Sequence, residues 1–109
     1  MSEAPLVCRS DALGPAGRAR HAALVAELAE AQPAVEELEN GFAFRFPSRP
    51  YLFLRVAEWI GLERQCCPFL EIGLVFEHPT ASIRVSVTGP AGTKDVLRAE
   101  LPLASGAQA

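Results

Sequence analysis

The sequence predicts an α+β fold: a two-layer sandwich in which a mainly antiparallel four-stranded sheet carries about three helices, in the order α-ββ-α-ββ-α. Three observations predict it. Apolar residues recur at helical spacing in separate stretches, they alternate with a period of two in others, and Gly, Pro and Asn-Gly punctuation falls between them. Half of the 109 residues are hydrophobic, enough for one core, so a single domain over 1–104 is expected, with 105–109 as a disordered tail.

Gly14-Pro15-Ala16-Gly17 punctuates the chain before Arg18, and a first helix is expected over 16–32, because His21, Leu24, Val25, Leu28 and Ala31 then fall at helical spacing. Pro33 ends it. Val35 to Leu38 and Phe42 to Phe46 read as strands joined at Asn40-Gly41, a strong hairpin signal, with Phe42, Phe44 and Phe46 on the buried side. Ser48 is the expected cap of a second helix, with Pro50 in its first turn. The stripe of Phe53, Val56, Ala57 and Ile60, widened by Leu52 and Trp59, carries this helix to Cys67, where Pro68 halts it. Phe69 to Glu77 alternates as a strand. His78-Pro79-Thr80-Ala81 turns the chain, and Ile83, Val85 and Val87 point inward from the returning strand. After Gly89-Pro90-Ala91-Gly92, a last helix with Val96, Leu97 and Leu101 inside is expected to end at Pro102.

Composition narrows the function. A net charge of -3 offers no basic face, so no nucleic-acid partner is expected. No apolar run approaches the roughly 20 residues of a membrane span, and the first residues have neither the basic nor the apolar region of a secretory signal. A cytoplasmic location follows as an expectation. There, an odd count of three cysteines argues against a disulfide framework and leaves metal binding, redox work or burial. For so small a chain a homodimer is the default expectation, because three helices need not cover the whole apolar face of the sheet.

The chemistry concentrates at Glu63-Arg64-Gln65-Cys66-Cys67-Pro68-Phe69, where the second helix ends. Glu63 lies three and four residues before the two cysteines, on the same face, and the stripe through Val56 and Ile60 turns it inward. A buried carboxylate needs a partner: Arg64, Arg55, a backbone donor or a metal. The negative end of a helix dipole disfavours thiolate at Cys66 and Cys67, so a reactive nucleophile is not expected; a soft cation, which deprotonates a thiol on binding, suits the position better. Adjacent cysteines do not match the two-to-four-residue spacing of structural zinc knuckles. Cys8 folding back would supply a third sulfur for a soft ion such as mercury or trivalent arsenic, with zinc as the borderline candidate. The metal-ligating set is therefore Cys66, Cys67, Cys8 and Glu63. The competing reading is a non-catalytic oligomeric or ligand-binding module whose cysteines only pack, and the minor enzymatic one is a thiol oxidoreductase.

Thr88-Gly89-Pro90-Ala91-Gly92-Thr93-Lys94 has the wrong Gly and Lys spacing for a P-loop and reads as a tight turn. His21 and His78 are distant from the cysteines in sequence and read as surface or boundary residues. The acidic Glu36, Glu37 and Glu39 read as a solvated strand edge.

The two motifs, Glu63 to Leu70 and Thr88 to Lys94, with a looser match at Cys8 and Gly41-Phe42, resemble a group of small bacterial proteins of similar length. That group is similar to segments attached to MerR-type metal regulators or encoded near mercury-resistance functions. The resemblance implies Cys66 and Cys67 as a signature and Cys8 as a companion, and it assigns no activity.

Overall fold

In a computed structural model, which describes residues 8–101, the chain forms three α-helices and one four-stranded antiparallel sheet. A short 3-10 segment, Ser10–Leu13, precedes α1 (Gly14–Glu30). Then come β1 (Ala34–Leu38), β2 (Gly41–Pro47), α2 (Pro50–Cys66), β3 (Glu71–Phe76), β4 (Ser82–Thr88) and α3 (Thr93–Glu100). This is the α+β order that the sequence predicts. The expected tail over 105–109 and the stop at Pro102 lie outside the described residues.

The spatial strand order is β1-β2-β4-β3, so the two hairpins meet through β2 and β4. Their register sets Phe42 opposite Val87, Phe44 opposite Val85 and Phe46 opposite Ile83, which puts all six side chains on one face. Each is at most 3 % exposed. Leu24 and Leu28 of α1, Leu52, Val56 and Trp59 of α2, and Leu97 of α3 cover that face. The other face is charged: Arg45 pairs with Glu77 at 2.9 Å and with Glu36 at 3.6 Å, and Arg84 pairs with Glu36 at 3.3 Å. Two layers with one solvated sheet face result, the usual solution for an antiparallel sheet.

Gly41 shows why glycine follows Asn40 in the first hairpin. A Cβ there would lie 1.9 Å from the Val87 carbonyl oxygen, so only glycine lets β2 approach β4 at this point. At the junction of β4 with α3, Gly92 has φ 96, a left-handed conformation that glycine adopts without strain.

Local details differ from the sequence reading. Ser48 does not cap α2: Arg49 is the N-cap residue, no side chain bonds the helix start, and Pro50 occupies the first turn, where its missing N–H costs nothing. The acidic strand is not simply solvated, since Glu37 shares the helix-covered face and pairs with Lys94 and Arg98 of α3. Those contacts engage the lysine of the Thr88–Lys94 turn, where the Thr93 hydroxyl donates to the Pro90 carbonyl at 2.5 Å. β3 is an edge strand with Leu74, Val75 and Phe76 exposed, although Phe76 stacks obliquely on Phe53 at 5.1 Å.

Candidate metal centre

Helices α1 and α2 pack side by side, tied at their surfaces by Arg20 to Glu58 at 2.6 Å and Arg55 to Glu27 at 3.0 Å. This pairing brings His21, on the inner face of α1 with Leu24 and Leu28, over the last turns of α2. His21 Nε2 lies 2.6 Å from Glu63 Oε1. Glu63 is 1 % exposed and the histidine side chain 16 %, so the buried carboxylate has a hydrogen-bonding partner in a largely buried pair. The inward turn of Glu63 read from the stripe is correct. Its partner is neither Arg64 nor Arg55.

The end of α2 explains how the N-terminal arm reaches the site. The last carbonyls of a helix lack intrahelical donors. Here the Arg9 N–H donates to the Cys66 carbonyl at 2.5 Å and the Leu70 N–H to the Cys67 carbonyl at 3.1 Å. The arm thus caps the helix through its backbone and delivers Cys8 to the spot. Cys8 and Cys67 form a disulfide, with Cα atoms 4.4 Å apart and a separation of 59 in sequence. The expectation of no disulfide fails because an odd count forbids only complete pairing: two cysteines brought together by backbone capping still bond, and the third stays free.

That third thiol, Cys66, is 2 % exposed. Burial pushes it up to about 11, with the charges of Glu63 and Glu100 acting in the same direction and the Arg9 N–H against them. It is neutral at pH 7 and a poor nucleophile. His21 is held above its ordinary value, chiefly by its hydrogen bond to Glu63, and burial opposes that shift.

All four sequence-derived ligand residues converge. Cys8, Glu63, Cys66 and Cys67 each offer a donor atom, and these atoms lie within 4.8 Å of one another, a grouping that could hold a metal ion. Cys8 is half-buried and the other three are buried. His21 is the residue that sequence reasoning missed. Its signal was its place on the same helical face as Leu24 and Leu28, which marks it as inward. On its other side His21 borders a cleft of about 350 Å³, lined also by Ala22, Val25, Ala26, Ala29 and Glu100. His78, by contrast, is exposed in the second hairpin turn.

No protein-family model, curated protein or solved structure matches the chain. Among the described residues, no helix is long and apolar enough to cross a membrane.

Proposed function

We propose that the chain, in its reduced form, binds a soft metal or metalloid ion through Cys8, Cys66 and Cys67 beside Glu63, as a sensor, scavenger or carrier. The observation that carries this reading is the convergence of four donor atoms within 4.8 Å from two places 59 residues apart in sequence. Soft thiolates select soft ions, and a bound cation would reverse the local preference for protonated thiols. A small thiol would open the Cys8–Cys67 bond first, giving two protein thiols and one small-molecule disulfide. The arm should stay in place after that step, because the Arg9-to-Cys66 backbone bond does not depend on the disulfide.

The oxidised bond favours a second reading, in which Cys8 and Cys67 cross-link the arm and Cys66 only packs. Native mass spectrometry of the reduced protein with substoichiometric zinc, mercury and arsenite separates the two. A single-ion adduct that survives competition by small thiols, and that disappears in the Cys66→Ser, Cys67→Ser double variant, supports the ion site. No adduct with any of the three refutes it in favour of the cross-link.

A further inference from the structure

Resting on that reading, we infer that the reduced site takes a trivalent metalloid, arsenite or antimonite, as a neutral complex of three sulfurs rather than a tetrahedral divalent cation such as zinc. Three features point there. The first is donor count. Glu63 already holds His21 at 2.6 Å inside the protein, so a cation recruiting the carboxylate must share or break that bond, whereas opening the Cys8–Cys67 disulfide releases two thiols beside that of Cys66.

The second is charge. Three thiolates and a carboxylate around a divalent cation leave excess negative charge in a buried place. That place is the C-terminal end of α2, where the helix dipole is itself negative. Buried uncompensated charge is disfavoured strongly enough to decide between ligands. A trivalent metalloid on three thiolates is neutral, and Glu63 keeps the compensation it has from His21.

The third is shape. The Cys66 sulfur lies within 4.8 Å of those of Cys8 and Cys67, so opening the disulfide leaves three thiols within reach of one ion in a compact triangle. A pyramidal ion, with a lone pair in place of a fourth ligand, sits on such a triangle. An ion that prefers two sulfurs in a line would leave one thiol free.

The exchange balances without an oxidant or reductant. Arsenous acid brings three As–OH bonds and the protein three S–H bonds; three As–S bonds form and three waters leave, with no net proton release. The disulfide must be opened beforehand by a dithiol such as dithiothreitol, which leaves as its cyclic disulfide.

The test uses the full reduced chain freed of dithiothreitol under anaerobic conditions, with sodium arsenite, zinc chloride and mercuric chloride as probes. We expect one arsenic per chain, a mass gain equal to arsenous acid less three waters, no proton release in weak buffer, and all three thiols protected from alkylation. Cys8→Ser should weaken arsenite binding by roughly 100-fold or more, since loss of one tethered donor forfeits its effective concentration. The adduct mass serves as an independent check should a cysteine variant fold poorly. Loss of only two waters, with one thiol still open to alkylation, would overturn the three-sulfur complex. Zinc displacing arsenite at equal concentration would overturn the metalloid preference and leave the soft-ion site standing, whereas binding of neither arsenite, zinc nor mercury would remove both.

Discussion

Opening the Cys8–Cys67 bond should lower the stability of the protein without unfolding it, and the loss can be worked from the loop it closes. With the two cysteines separated by 59 in sequence, the chain-entropy relation gives about 4 kcal/mol at 25 °C, the stabilisation that cross-linking supplies by restricting the unfolded chain. Small domains have about 5–15 kcal/mol in total, so the reduced form remains folded on its apolar core but with a much smaller margin. With a urea slope of about 2 kcal/mol/M, the midpoint should fall by about 2 M on reduction. An ion that binds the reduced site restores part of this: at a free concentration 100 times its Kd it adds about 2.7 kcal/mol, more than half of what reduction removed. The assay is urea unfolding followed by Trp59 fluorescence, in four samples: oxidised or reduced, with and without arsenite. Identical midpoints for the oxidised and reduced forms would refute the loop-entropy argument. Arsenite raising both midpoints equally would refute the claim that it needs the sulfurs held in the disulfide.

His21→Ala strands the Glu63 carboxylate where water cannot reach it and should cost about 3 kcal/mol, while Glu63→Gln, which removes the charge and keeps a hydrogen-bonding group, should cost less; urea midpoints of the oxidised variants measure both. Because the folded-state pKa of His21 is raised, the contribution of this pair is complete below about pH 6.5 and fades as pH rises through the folded value, so the gap between wild type and His21→Ala should be wider at pH 6 than at pH 9. Cys66 in the native oxidised protein should react with iodoacetamide at least about 100-fold more slowly than an ordinary thiol, from ionisation alone, and at the ordinary rate in urea; mass spectrometry of quenched samples follows both. Gly41→Ala places a methyl against the Val87 carbonyl and should cost about 3 kcal/mol through separation of β2 from β4, read as a lowered unfolding midpoint.

Local chemistry made most of the fold legible. Asn40-Gly41 marked the first hairpin, and the alternation of Ile83, Val85 and Val87 marked the inner face of β4, because each signal lies within a few residues of the structure it specifies. The strand order could not be read that way, since the pairing of β2 with β4 joins segments on either side of a whole helix. The site divides along the same line. Glu63, Cys66 and Cys67 share a helical face and were legible as a group. Cys8 was legible only as a candidate, because backbone carbonyls at the end of α2 bring it in and carbonyls leave no mark on a sequence. The partner of Glu63 lies 42 residues away on another helix. The stripe demanded a partner for that carboxylate, and only the packing of α1 on α2 chose the histidine.

The bond between Cys8 and Cys67 also divides the chain into a ring and a remainder. Everything from the 3-10 segment to the end of α2, including the first hairpin and both long helices, lies inside the ring; β3, β4 and α3 lie outside it. If the two parts folded separately, the untethered second hairpin would peel away and leave the ring intact. The sheet forbids that economy: β4 sits between β2 and β3, and its Ile83, Val85 and Val87 fill the middle of the core. Detaching the untethered part therefore strips Phe42, Phe44 and Phe46 of their cross-strand partners Val87, Val85 and Ile83 at once and leaves the apolar sides of α1 and α2 only half-covered. The covalent boundary and the cooperative boundary do not coincide, so the oxidised protein should open as one unit, with its slowest-exchanging amides in the tethered β2 and the untethered β4 alike.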